Sequence, residues 1–107
     1  AGLDVDGTTF DNVRLQSTGG TIANFDNVTF QNMSQTVTQL TVSHPGAAAP
    51  FVFDNVDFLT TPTSGRYLQA TDSAADSNTL TLTLTNATPA TGAPFVTTSG
   101  GAVVNWP

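Results

Sequence analysis

Phe10-Asp11-Asn12-Val13 recurs twice in this chain, as Phe25-Asp26-Asn27-Val28 and as Phe53-Asp54-Asn55-Val56. Relaxed to apolar-x-Asn-apolar, the pattern also takes in Ile22-Ala23-Asn24-Phe25, Phe30-Gln31-Asn32-Met33, Leu84-Thr85-Asn86-Ala87 and Val103-Val104-Asn105-Trp106. Of all the asparagines, only Asn78 falls outside it. An internal repeat comes first in any reading, because one repeated unit dictates the whole architecture.

The physics of the unit is specific. In a flat strand Phe10 and Val13 would point to opposite faces, since side chains alternate with period two. Both are apolar, and so are their counterparts in each copy. Putting both inside requires a bend between them that absorbs one residue. Asn is the non-glycine residue most at ease with positive φ, and its amide bonds readily to local backbone. The reading is therefore apolar inside, Asp outside, Asn at the corner, apolar inside. It predicts corners at Asn12, Asn24, Asn27, Asn32, Asn55, Asn86 and Asn105. Alternation then resumes through Val13-Arg14-Leu15, Val28-Thr29-Phe30 and Val56-Asp57-Phe58, each with a polar middle residue. Corner side chains stacked on one another would form an amide ladder.

Longer echoes agree. Ser17 to Phe25 matches Thr98 to Trp106, and Gly46 to Val52 is echoed by Gly92 to Val96. Leu80, Leu82 and Leu84 alternate with Thr79, Thr81, Thr83 and Thr85 as a strand, and Gln35 to Ser43 is a looser one. Loops are expected at 44–50, 60–65, 72–78 and 88–94, where Gly, Pro, Ser and Asp gather. Corner asparagines 12, 27, 55, 86 and 105 are separated by 15, 28, 31 and 19 positions. Such irregular spacing suits a solenoid with loops inserted at its corners. The expectation is one all-β domain over residues 1–107, a short right-handed parallel β-helix of about four coils. An antiparallel β-sandwich is the alternative; it explains alternating strands but not the recurrence of Asn at one kind of corner.

Composition narrows the function. All eight acidic residues are Asp, the only basic residues are Arg14 and Arg66, and the net charge is −6. Lys and Glu are absent and Thr fills roughly a fifth of the chain. Helices draw on straight side chains, so helix content should be close to nil. Strands joined by tight bends suit the Thr, Val, Phe, Asn, Asp and Gly that dominate instead. Nucleic acid is a poor partner without clustered Lys and Arg, and no apolar run is long enough for a membrane-spanning helix. With no Cys, thiol chemistry and cysteine metal sites are excluded. The composition points to a secreted or cell-surface setting.

On the units around Asn12, Asn27, Asn55, Asn86 and Asn105, the chain resembles the right-handed parallel β-helix repeats of secreted bacterial surface proteins, the pectate-lyase-like superfamily in the broad sense. The resemblance implies a fold rather than an activity. Enzymes of that superfamily use clustered Asp, Arg or Lys, often with Ca²⁺, on acidic polysaccharides.

Candidate sites follow, each beside a plainer reading. Asp11, Asp26 and Asp54 share one outward position and are expected to stack in a row, where paired carboxylates could serve acid–base chemistry. The plainer reading is a soluble residue beside a bend. Arg14 and Asp57 hold equivalent exposed places and read as a solvated face. Asp4-Val5-Asp6-Gly7 hints at calcium through Asp4 and Asp6, but matches an EF-hand poorly and reads better as a turn entering the first strand. His44, the only His, is read as a loop residue with no Ser or Asp partner. Tyr67 and Trp106 could stack on sugars, though Trp106 replaces Phe25 in the repeat and suits packing or an end cap. The alternating Thr of 79–85, with Thr36 and Thr38 as a partial second row, resembles ice-binding arrays; ordinary outward Thr is the default.

A solenoid this short exposes backbone and core at both ends, and arrays of this kind normally carry caps. No capping helix is visible, and Asn105-Trp106-Pro107 is in phase with Asn24-Phe25, so either the chain is a fragment of a longer β-helix or its open ends pair with other copies. The expectation is thus a non-enzymatic structural or adhesive module without a cofactor, joining copies end to end through surfaces near Phe10 and Trp106. A polysaccharide lyase or hydrolase using outward Asp is the alternative, and ice binding the third.

Overall fold

The computed structural model describes residues 3–18, 22–45, 51–74, 79–87 and 95–107. Ten strands and no helix run through them: β1 (Leu3–Asp6), β2 (Thr9–Asp11), β3 (Leu15–Thr18), β4 (Ile22–Gln31), β5 (Leu40–His44), β6 (Phe51–Phe58), β7 (Leu68–Asp72), β8 (Thr81–Thr85), β9 (Val96–Ser99) and β10 (Val103–Asn105). One sheet has the order β1-β4-β6-β8-β10, with β2 also on β4; the other runs β3-β5-β7-β9. After β2, successive strands alternate between the two sheets. Every pairing among the described residues is parallel, so the antiparallel sandwich is not the arrangement.

The inward residues form files, one residue per strand. On the first sheet Val5, Phe25, Phe53 and Leu84 stand in register. Phe10, Phe30 and Phe58 form a second file beyond the bend. On the second sheet Leu15, Leu40, Leu68 and Val96 face them. Phe25, Phe30, Phe53, Leu40 and Leu68 are fully buried and belong to one core cluster. Each such side chain contributes about 1.5–3 kcal/mol on leaving water, so the core rests on a few large residues. Leu80, Leu82 and Leu84 are buried as the alternation required.

The bends are made as expected, with two exceptions. Asn12, Asn27, Asn32, Asn55 and Asn86 have φ of 54°, 55°, 53°, 55° and 52°. Asn27 and Asn55 lie inside β4 and β6, where the register passes from Asp26↔Asp54 to Val28↔Val56. Asn24 and Asn105 are not corners: they are strand residues of β4 and β10, paired with Val52 and Thr83. The relaxed pattern failed there because Asn24 only precedes the true unit. Phe25 already takes the inward place, so Asn24 alternates outward without a bend.

The first Phe-Asp-Asn-Val is out of step with the other two. Its register partner is Phe30-Gln31, not Phe25-Asp26. There are thus two files of corners. Asn27, Asn55 and Asn86 follow Asp26, Asp54 and Thr85, and Gly7, at φ 62°, fills the same place after Asp6. Asn12 and Asn32 make the second file. The shift has a consequence for Val13: it is 56% exposed, whereas Val28 and Val56 are completely buried. The inward placement expected for Val13 is wrong, and Arg14 is accordingly not the equivalent of Asp57.

Strand boundaries differ in places. The strand expected from Gln35 begins at Leu40 and runs on to His44; Gln35 and Thr36 lie in a turn and Thr38 in no strand, so Thr36 and Thr38 form no second Thr row. β7 was not anticipated. The echo of Gly46–Val52 in Gly92–Val96 joins non-equivalent places, since Val52 lies in β6 of the first sheet and Val96 opens β9 of the second. Its glycines and prolines, like Asn78, lie outside the described residues.

Candidate functional site

Three features could carry function: the outward polar row at the corners, a polar cluster inside the second sheet, and the two ends of the stack.

The row is Asp6, Asp26, Asp54 and Thr85, aligned strand by strand. Asp11 is not in it; it pairs with Gln31 at the second corner. Asp6 takes the place expected for Asp11, a relation readable from Asp6-Gly7 beside Asp26-Asn27 once Gly is admitted at the corner. Two of its carboxylates, Asp6 and Asp54, are bound by the amide that follows the aligned residue of the next strand. Asn27 Nδ2 donates to Asp6 Oδ1 at 3.3 Å, and Asn86 Nδ2 to Asp54 Oδ1 at 3.1 Å. At the second corner Gln31 Nε2 and Asn32 Nδ2 donate to the two oxygens of Asp11, each at 3.1 Å. At the described corners Asn55 Nδ2 to Asn27 Oδ1, at 2.8 Å, is an amide-to-amide contact, and the other corner bonds there run from amide to carboxylate.

Thr85 Oγ1 also donates to Asp54 Oδ1 at 2.6 Å. The hydroxyl and then the Asn86 amide hold the Asp54 carboxyl below its ordinary 3.8. That is opposite to the upward displacement a general acid needs near neutrality. Asp6 ends β1, and Asp4 lies within it, so the Asp4–Gly7 stretch is a strand and its corner rather than a turn leading in. Asp4's side chain lies outside the described residues. Among those described, no group of three or more His, Cys, Asp or Glu is placed to hold a metal ion.

The polar cluster was missed by sequence reasoning. His44 is not a loop residue: it is the last residue of β5, 3% exposed, and faces inward with Leu40 and Val42. Its Nε2 lies 2.6 Å from the hydroxyl of Ser17 on β3, which is also buried. Asp72, the last residue of β7, is His44's register partner and buried too. One Asp72 oxygen accepts from Ala74 N at 3.2 Å and the other from Leu80 N at 3.0 Å. The signal was period two: Leu40, Val42 and His44 alternate just as Leu68, Ala70 and Asp72 do. The three residue types are those of a hydrolytic triad, but roles are set by geometry. Ser17 faces the core, so an acyl group would have to enter between the sheets to reach it.

The ends are formed by β1, β2 and β3 on one side and by β9 and β10 on the other. Each has one strand neighbour among the described residues. A column of rings crosses the stack between them: Phe10 on Phe30 at 5.1 Å, Phe30 on Phe58 at 5.2 Å, and Phe58 on Trp106 at 5.9 Å. Trp106 therefore ends the Phe58 column and also meets Tyr67 at 6.4 Å, rather than continuing the Phe25 file as its place in the repeat suggested. Phe10 and Trp106, at the two extremes, are only partly buried. Tyr67 is core, 3% exposed.

Comparison with family models, with curated proteins and with solved structures finds no match.

Proposed function

We propose that this chain is a short right-handed parallel β-helix acting as a non-enzymatic structural or adhesive module, secreted or at a cell surface, whose copies join end to end. The handedness follows the strong preference of parallel crossover connections for the right-handed path. Parallel strands alternating between two sheets, with corner files in register, support the helix.

The observation that carries the self-association is the ring column. It runs the length of the stack and stops at a ring that is only partly buried at each extreme, Phe10 and Trp106. Both extremes also present strand edges with backbone groups of the kind that pair with another chain. Placing Trp106 of one copy on Phe10 of the next would continue both the column and the parallel sheets. A contact of this kind joins unlike surfaces, and so extends into a fibre unless its rotation closes a ring.

Light scattering after size exclusion, with electron microscopy of the same sample, tests the reading. Long oligomers or fibres are expected, shortened to monomers by Phe10→Ser or by Trp106→Ala in protein whose circular dichroism is unchanged. A monomer of 11.0 kDa at every concentration would sink it.

A further inference from the structure

The two sheets treat their outward polar groups differently. On the first sheet and at its corners they include carboxylates: Asp6, Asp11 and Asp54 accept hydrogen bonds from side chains of the neighbouring strand, and Asp26 and Asp57 stand on the same strands. The second sheet has two outward files. One is Gln16, Thr41, Gln69 and Thr97; the other is Thr18, Ser43, Thr71 and Ser99. No charged residue stands in either, although the chain carries −6 and Asp4, Asp6, Asp26, Asp54 and Asp57 all lie on strands of the first sheet. Among the described residues only Thr71 and Ser99 bond to each other here, at 2.9 Å. The remaining hydroxyls and amides of the two files have no side-chain partner within the described chain.

We infer that the outward face of the second sheet is a binding surface for a neutral, hydroxyl-rich polysaccharide. Parallel strands set the rows about 4.7–4.9 Å apart, so an extended polymer lying across the strands meets a fresh pair of side chains at each step. Amides and hydroxyls each offer donor and acceptor, as sugar hydroxyls do. The net charge selects against anionic polymers, which no cation on this face would attract. Ice is the poorer fit, because Gln16 and Gln69 interrupt what would have to be level rows of Thr. The inference stands apart from end-to-end joining, although joined copies would lengthen the rows and raise avidity.

The test is affinity electrophoresis of the full chain through gels containing a soluble neutral glucan, xylan or mannan, with polygalacturonate for comparison. Retardation by at least one neutral polymer is expected. The double variant Thr41→Val, Gln69→Ala should weaken it on the order of tenfold, as loss of one or two hydrogen bonds implies. Thr61→Val with Thr79→Val, which removes two exposed hydroxyls off the face, should leave it unchanged, with all proteins shown to be folded by thermal melts. Absence of retardation by all three neutral polymers would overturn the inference. So would retention by polygalacturonate alone, equal losses in both double variants, or shaping of ice crystals in place of sugar binding.

Discussion

Ser17 and His44, on adjacent strands and 27 residues apart in sequence, meet at 2.6 Å inside the protein. With Asp72 beside them in register, they bring polar chemistry onto an inner sheet face that is otherwise aliphatic at Leu40, Val42, Leu68 and Ala70. A buried polar group is tolerated when it is bonded, and removing one partner leaves the other to bear the desolvation penalty.

Ser17→Ala should therefore destabilise the fold by about 1–3 kcal/mol, although it deletes a single oxygen. Urea denaturation followed by circular dichroism checks this. A change below about 0.5 kcal/mol, the range of ordinary surface substitutions, would mean that the contact contributes nothing to stability.

The corner files make a sharper forecast. Asn55→Ala forces a Cβ-bearing residue without a compensating amide into left-handed backbone, at about 1–2 kcal/mol, while Asn55→Gly relieves that conformation. Asn105→Ala, in a strand, should be near neutral. Denaturation midpoints of the three variants test the assignment of corners. Equal effects at 55 and 105 would contradict it.

Asp54 gives a pH dependence whose sign is fixed. Its folded value lies below the ordinary 3.8, so the unfolded chain takes up its proton first as acid is added. The stabilisation is complete above the unfolded value and disappears as pH falls through the folded one. Asp54→Asn should flatten the acid limb of a plot of stability against pH and leave its slope near neutrality unchanged.

Two valines in identical tetrapeptides should behave differently. Val56→Ala, in the core, is expected to cost about 2 kcal/mol, from two lost methyl-sized groups and the space they leave. Val13→Ala, at an exposed corner, should change little. Thermal melts resolve the difference, since 1 kcal/mol moves the midpoint of a domain this size by roughly 4–8 °C.

Gly65 tests a close approach. A Cβ there would collide with the backbone carbonyl of Val37, and its own N–H donates to Gln35 O at 3.2 Å. Gly65→Ala should cost about 1–3 kcal/mol by overpacking. An alanine variant as stable as the parent would show that the segment from Gln35 to Thr38 moves freely aside.

Much of this fold was legible because the corner unit breaks the strand period in one reproducible way. Five of the seven predicted corners sit at positive φ, and the apolar residues flanking Asn27 and Asn55 are buried. Asn24 and Asn105 misled because a short polar residue outward in a strand has the same local neighbours as one at a bend. Val13 misled because register is a property of two strands, and one tetrapeptide contains only one. The inner cluster was hidden for a chemical reason. Ser, His and Asp near Gly and Pro favour loops on average, and only the alternation Leu-x-Val-x-His and Leu-x-Ala-x-Asp set them within strands. Nothing in the chain announces that Trp106 turns to the Phe58 column, since that depends on side-chain direction after the last strand.

The off-step placement of Phe10 to Val13 also bears on how the chain reaches this state. Every strand pairs with one far away in sequence, such as Phe25 with Phe53, so little structure can form locally and loop closure must precede reward. During that search three copies of one tetrapeptide compete for two kinds of corner. A chain that docks its first copy beside Phe25 has satisfied the local pattern and misplaced all that precedes it. Correct threading therefore depends on residues outside the repeat, among them Gly7, which in the folded chain holds the corner place that Asn12 would take in that misplaced register. Refolding should be slow and multiphasic, and the trap deeper when Gly7 is replaced than when any single core residue is trimmed.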